Sequence, residues 1–300
     1  MQFILQTALK LGLAYSLVPL ALFLSYRILN IADLTTDGSF VLGMAVSVAF
    51  AAAGHPFIGL IMAIIAGVCA GFVTAFLQTR LGVPSILAGI VTNTGLYTIN
   101  LMVMGWSSNL SILKQATLFT ILKDSGIVGK HYEMFAGIIM AIVCMLFLMW
   151  FLSTRIGLSI RATGDNREMV SASSINPFFT INLGLMIANG LTALSGAFVG
   201  QMQKSADINA GTGVVTIGLA CLIIGEMLIK PKGSVNKGII AAITGSLVYR
   251  LLYAIILKTK IFPVECLKLV TALIVALAIG APVIKEYLSL SGRRRRNQHA

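Results

Sequence analysis

The sequence predicts an all-α polytopic membrane protein: a bundle of about eight to nine transmembrane helices with one short helix on the cytoplasmic face. Three observations lead there. The 300 residues are 57% hydrophobic and only 11% charged, with a mean hydropathy of +0.93, far too little charged surface for a water-soluble domain of this length. Apolar runs of about 20 residues, the length that crosses a bilayer as helix, recur along the whole chain. None of them shows the period-two alternation of a barrel strand, so helices, which pair their backbone groups within the segment, are the element that suits lipid.

Taken in order, the apolar windows place spans at 6–28, 38–54, 57–78, 84–105, 133–152, 178–200, 213–229, 238–257 and 265–287. The first run lacks a basic leader and a small-residue cleavage site, so it is expected to stay as a span. The second follows "ADLTTDGSF" and is short for a crossing. Between the fifth and sixth lies a polar segment, 153–177; between the fourth and fifth lies a long loop, 106–132; a basic tail, 288–300, closes what reads as a single transmembrane domain over 1–300.

Basic residues orient the bundle. Arg155, Arg161 and Arg167, then Lys230, Lys232 and Lys237, then Lys285 and Arg293 to Arg296 fall in connections two spans apart, hence on one side. The positive-inside rule makes that side the cytoplasm. Arg27 and Arg80 agree, whereas Lys258, Lys260 and Lys268 run mildly against it. Nine spans with the tail inside put the N-terminus outside.

The net charge of +12 is accounted for by these flanks; "RRRR" at 293–296 reads as an orientation signal or lipid-headgroup contact, and without interleaved aromatics no nucleic-acid partner is expected. Cys69, Cys144, Cys221 and Cys266 lie in or beside apolar runs without CxxC spacing and read as small buried hydrophobes. His55, His131 and His299 have no second ligand at helical spacing, so no metal site is expected.

The stretch "RATGDNREMVSASSINP", 161–177, carries the short helix. Asp165 with Glu168 three positions on is the capping-box pattern, and Asn176 before Pro177 is a stop. The spacing predicts a helix of about ten residues, roughly 15 Å, half of a crossing. It must lie outside the membrane. Its "MVSASS" surface, with Met169, Val170, Ala172 and Ser173, is smooth enough for another protein to pack on; an interfacial connector in the headgroups is the competing reading. No GxxxxGK[ST] occurs in the chain, so no nucleotide is held by that route. A bundle with a docking helix and no motor invites a separate motor.

The run "GLSIRATGDNREMVSASSINPFFTINLGLMIANGLTALSGAFVGQ" resembles the cytoplasmic loop and following helix of ABC importer permeases of the branched-chain amino acid and ribose group. "SYRILNIADLTTDGSFVLGMAV" is similar to the narrower branch associated with tryptophan or tyrosine uptake, and the likeness extends to "GEMLIKPKGS". The resemblance implies that the loop helix is a coupling helix, through which Arg161, Asp165, Asn166, Arg167, Glu168, Met169 and Ala172 contact a cytoplasmic ABC ATPase subunit. It implies a second permease copy in a homodimer, an extracytoplasmic substrate-binding protein, and no cofactor on this chain, with ATP and Mg on the ATPase. It also implies the inner membrane of a bacterial cell. The nine apolar spans are fewer than in the ribose-type relatives, so helices are not carried over one by one.

Polar residues inside apolar runs are the candidate pathway. Asp33 and Asp37 are four apart, on one face if helical. One reading has Asp37 or Thr36 capping the second span at the membrane surface with Asp33 in water. The other is a discontinuous helix whose free N–H groups, with Thr35, Thr36 and Ser39, face the pathway, where they suit a carboxylate while an acidic side chain suits an ammonium group. Asn93 and Asn100, and Asn182 and Asn189, are each seven apart and so share a helix face. Amides are costly against lipid, so both pairs look inward, as interhelical glue or as pathway lining, with Thr92 and Thr94 beside the first pair.

Gly196 and Gly200 permit close helix approach. Glu226 and Lys230 are one turn apart and read as a local ion pair, and Arg250, inside the eighth span, either snorkels outward or faces a cavity. The stretch 112–122 is amphipathic and suits the outer membrane surface, or a receiving surface for the binding protein with Lys114 and Lys123.

These readings converge on the permease subunit of an ATP-driven amino acid importer, with aromatic substrates first and branched-chain ones next. The rival is an ion-coupled secondary transporter or channel working without an ATPase through Asp33, Asp37 or Glu226. A structural scaffold explains the capped helix but not the inward amides.

Overall fold

The computed structural model describes residues 2–113, 115–124, 131–231 and 233–259, with residues 272, 273, 276 and 280. Among the described residues seven helices are long and apolar enough to cross a membrane, and Thr36–Ala52 is apolar but shorter. These eight coincide with the first eight predicted spans. The ninth, 265–287, apart from those four positions, and the tail, 288–300, lie outside the described residues.

The first span is built from α1 (Gln2–Tyr15), α2 (Leu17–Leu22) and a π-helical turn (Phe23–Ile28). Then come α3 (Thr36–Ala52), α4 (Pro56–Thr79), α5 (Ser85–Val103), β1 (Asn109–Ser111), α6 (Leu118–Asp124) and α7 (Tyr132–Ser153). The chain continues with α8 (Arg155–Asp165), α9 (Arg167–Ala172), α10 (Pro177–Gln203), β2 (Ser205–Asp207), a 3₁₀ turn (Ile208–Gly211), α11 (Val214–Ile229) and α12 (Val235–Thr259).

Helix α10 is the spine, buried along most of its 27 residues, with α3 and α4 packed against it. Lipid tails give apolar helices no hydrophobic reason to associate, so contact must come from close packing, and small residues supply it. A Cβ on Gly43 would collide with the Ala193 carbonyl, one on Gly196 with that of Phe40, and one on Gly71 with that of Leu185. Gly196 and Gly200 both meet α3, the latter at Met44.

One end of the bundle gathers the basic residues. Arg27 grips Glu226 through two bonds of 2.7 and 2.8 Å; Arg80 stacks 4.2 Å from the Phe178 ring centre; Gly164 of α8 lies against the Ile28 carbonyl. Glu226 therefore pairs with Arg27 of the first span, not with Lys230, which follows α11 in a left-handed conformation (φ 49°) that turns the chain away. Arg250 does not snorkel: its guanidinium lies 3.9 Å from the Tyr15 ring centre, between α12 and the first span. Cys144 and Cys221 are buried as expected, but Cys69 is exposed on α4.

At the opposite end, β1 and β2 pair antiparallel, Leu110 opposite Ala206. Strands of three residues carry no periodicity for a sequence to reveal. The amphipathic stretch 112–122 is helical only from Leu118, and it caps the bundle instead of lying along its surface: Ile112, Leu118 and Phe119 are buried, with Phe119 edge-on to Phe198 at 4.9 Å. Gln201 locks this cap, accepting from Leu118 N at 2.9 Å while donating to Ser47 Oγ and the Pro56 carbonyl. Lys10 and Glu133 pair at 2.6 Å. Lys114 lies outside the described residues.

Candidate functional site: a cavity where two interrupted helices meet

After the π-helical turn the chain runs back into the bundle, and α3 starts there, not at the basic end. Its Ser39 donates to Asn189 Oδ1 at 2.7 Å, and Asn189 is the thirteenth residue of the 27-residue α10. Thr35 occupies the N-cap position without a side-chain cap bond. Asp33 precedes the helix and is 3% exposed; one carboxylate oxygen accepts from Thr35 N at 2.9 Å and the other from Asn189 Nδ2 at 2.7 Å. This corrects the surface reading of "ADLTTDGSF". Asp33 is out of water, Asp33 and Asp37 share no helix face, and Thr36, which donates to the Asp33 carbonyl at 3.2 Å, caps nothing. Thr35 bonds Thr74 of α4 at 2.7 Å.

Helix α11 also starts inside the bundle, after the 3₁₀ turn and Gly213 (φ 83°), a left-handed position that glycine takes without steric cost. Its first N–H groups are met by Asp37, which accepts from Gly213 N at 3.2 Å and Val215 N at 2.8 Å. Helix N-termini carry unpaired donors and partial positive charge that attract carboxylates. Here both interrupted helices satisfy part of that demand with carboxylates of the same chain, Asp33 at α3 and Asp37 at α11.

The two N-termini meet beside a cavity of about 370 Å³. Asp37, Gly38 and Val41 form one wall, Asn93, Thr94, Tyr97 and Asn100 of α5 a second, and Ile208, Asn209, Gly211 and Thr212 the third. Glycine at 38 makes the room, since a Cβ there would lie 2.5 Å from Asn93 Oδ1. Asn100 donates to the Gly38 carbonyl at 3.3 Å, and its Oδ1, buried, has no partner among the described residues. Tyr97 is 53% exposed and Thr94 and Thr98 are exposed beside it, so the cavity opens along α5. A larger cavity of about 500 Å³ between α4, α7 and α10 is walled by apolar side chains such as Leu60, Ile64, Met140 and Phe147. It offers a polar solute nothing to orient against.

Of the sequence candidates, Asp37, Asn93 and Asn100 line the polar cavity, and Asp33, Thr35, Ser39 and Asn189 form a buried network behind it. Asn182 stands apart near the basic end, donating to Thr79 Oγ1 at 3.1 Å and the Phe178 carbonyl at 2.7 Å, which is interhelical glue. Sequence reasoning missed Tyr97, Asn209 and Thr212. Tyr97 was within reach of it, since 93, 97 and 100 recur at one helix face; the other two sit in a 3₁₀ turn without periodicity.

The polar stretch 155–172 forms two helices. Asp165 ends α8, and Asn166 is the cap of α9: in extended conformation (φ −156°, ψ 106°), its side chain accepts from Glu168 N and Met169 N, each at 3.0 Å. The asparagine breaks the helix and restarts it one residue later than the expected capping box. Helix α9 spans six residues, not about ten, because Ser174 turns left-handed (φ 60°); Asn176 and Pro177 start α10, with Phe178 N donating to Asn176 Oδ1 at 3.0 Å. Asp165, Asn166, Arg167, Glu168, Met169 and Ala172 are all exposed, Arg161 half-buried, and Val170 buried as the anchor. Thr163 of α8 and Thr180 of α10 bond at 2.8 Å, tying this surface to the spine.

Residues 4–279 match the family described as the branched-chain amino acid transport system / permease component. The chain is 33% identical over 266 residues, 88% of its length and 86% of the relative's, to a tyrosine transport system permease protein of Clostridioides difficile (strain R20291). It is 36% identical over 282 residues, 93% of its length and 97% of the relative's, to an uncharacterised protein of Rickettsia prowazekii (strain Madrid E). No solved structure matches the chain.

Proposed function

The chain belongs to the family of permease components of branched-chain amino acid transport systems, and from that premise we propose that it is the membrane subunit of an ATP-driven amino acid importer. The observation that carries the reading is the cavity itself: two interrupted helices end at one polar, partly open chamber inside an otherwise apolar bundle. Interrupted helices are tolerated at membrane depth where their free backbone lines a passage. The substrate is an aromatic amino acid, tyrosine or tryptophan, in keeping with the name of the Clostridioides difficile relative.

The exposed surface of α9, with Arg167, Glu168, Met169 and Ala172, receives the cytoplasmic ATPase; Asp165, Asn166 and Arg161 complete it. ATP and Mg belong to that ATPase. Closure of the ATPases pushes α9 and α8, and the Thr163–Thr180 link passes the displacement to α10 and so to the start of α3. An extracytoplasmic binding protein delivers substrate at the end capped by α6. A second copy of the chain packs along α5, where Thr94, Tyr97 and Thr98 are exposed and Gly95 faces open space among the described residues, which closes the cavity's open side. The basic end then faces the cytoplasm of a bacterial cell, in the inner membrane.

The test is uptake of labelled tyrosine and tryptophan by proteoliposomes holding the chain, with and without a partner ABC ATPase and a substrate-binding protein. Uptake that needs both partners and ATP is expected. Uptake by the chain alone down an ion gradient establishes the secondary-transporter reading instead.

A further inference from the structure

We infer that the cavity is a port for a primary ammonium group, an inference that rests on the transport reading of this same chamber. The reasoning is a count of donors and acceptors. A helix N-terminus in a transport cavity ordinarily offers N–H groups to an anion, but at the start of α11 and in the 3₁₀ turn before it the following donors are engaged. Gly213 N and Val215 N go to Asp37, Asn209 N to Asp207 Oδ1 and Thr212 N to the Asn209 carbonyl.

On the α5 wall the Asn100 amide nitrogen is engaged by the Gly38 carbonyl and the Thr94 hydroxyl hydrogen by the Ile90 carbonyl. What these lining residues leave unengaged is acceptor: the remaining lone pairs of the Asp37 carboxylate and of the Thr94 oxygen, and Asn100 Oδ1, which is buried without a partner among the described residues. A buried acceptor without a donor is destabilising until a donor arrives. The amides and hydroxyls of Asn93, Tyr97, Asn209 and Thr212 serve either way, and among the described residues no Lys or Arg lines the chamber. An ammonium brings three donors and a positive charge to this lining. A carboxylate would meet the like charge of Asp37 instead.

Charge-selective modification of a cysteine in the chamber tests this. Thr94→Cys is made with Cys69 and Cys266 replaced by serine, Cys144 and Cys221 being buried. The purified chain is reacted with methanethiosulfonate reagents bearing an ethylammonium or an ethylsulfonate group, and the ratio of rates is divided by the ratio on free 2-mercaptoethanol. Asp37 and Thr94 line the same chamber, and at a separation of about 6 Å a carboxylate favours a unit cation over a unit anion by roughly tenfold even in bulk water, so a normalised ratio well above one, on the order of ten, is expected.

Asp37→Asn should bring the ratio to within about threefold of unity, and Asn93→Asp, which does not touch the α11 cap, should raise it about tenfold by the same arithmetic. Tyramine should slow the modification and 3-(4-hydroxyphenyl)propionate should not. A normalised ratio near one in Thr94→Cys, no rise in Asn93→Asp, or protection by the acid overturns the inference. These rates need no ATPase: intact ATP-driven uptake with a ratio near one defeats the ammonium port alone, and a high ratio with no ATP-driven uptake defeats the transport reading alone.

Discussion

Replacing Asn189 by alanine removes the tie between the start of α3 and the spine. Asn189 donates to the buried Asp33 carboxylate at 2.7 Å and accepts from Ser39 at 2.7 Å. A hydrogen bond to a charged group contributes about 1.5–3 kcal/mol and a neutral one about 1, while interhelical bonds in membranes average about 0.6 kcal/mol. The carboxylate is enclosed and keeps only its contacts to Thr35 after the change, so the upper part of that range applies, and a loss of about 2–3 kcal/mol is expected. At roughly 2–4 °C per kcal/mol for a chain of this size, the thermal midpoint in detergent should fall by roughly 5–10 °C.

Asn182→Ala, which loses one bond to Thr79 and one to its own helix, should cost about 1 kcal/mol or less. In a double-mutant cycle, Asp33→Ala with Asn189→Ala should cost about 1.5 kcal/mol less than the sum of the singles, because each already removes the shared bond. A single cost within about 0.5 kcal/mol of wild type, or strict additivity, would refute the claim that Asp33 and Asn189 fix the break in the second span.

Three further outcomes follow from particular contacts. Asn166→Ala removes both side-chain bonds at the start of α9 and should raise amide exchange over 168–172 by roughly tenfold, the equivalent of a cap of about 1.4 kcal/mol, while Asp165→Ala leaves those rates unchanged. Gly43→Val places branched carbon against the Ala193 carbonyl and should abolish recovery of folded protein, whereas Gly95→Ala, on the open face of α5, should express like wild type; normal yield from Gly43→Val would contradict the close α3–α10 packing. Glu226→Lys should lower the thermal midpoint and Arg27→Glu in the same chain should restore it, with Lys230→Ala silent; the pair is half-exposed, so the effect is about 1 kcal/mol or less.

The spans were legible because each is a run of apolar residues bounded by polar ones, and eight runs became eight helices. The buried amides were legible too: seven-residue spacing put Asn93 and Asn100 on one wall of the cavity. What composition could not reveal was where a span is interrupted. "ADLTTDGSF" has the same letters whether Asp37 caps its own helix in water or caps α11 in the interior, and only the long-range approach of Gly213 and Val215 decides it. Glu226 shows the same limit: Lys230 is its neighbour in sequence, but Arg27, on a helix packed beside it, is the partner. At the start of α9 the error was one residue, because Asp165 and Asn166 are both good caps and the preceding helix α8, unforeseen, claims the first.

Thr94 stands on the rim of the chamber, and the side from which it can be reached tests most directly whether this chamber is the passage. With Thr94→Cys in membrane vesicles of both orientations, a membrane-impermeant thiol reagent should reach it from one side in the absence of nucleotide and from the other when the assembled ATPase is trapped with ATP and vanadate. Equal reactivity from the same side in both states, or none in either, would contradict a cavity that exchanges its access across the membrane.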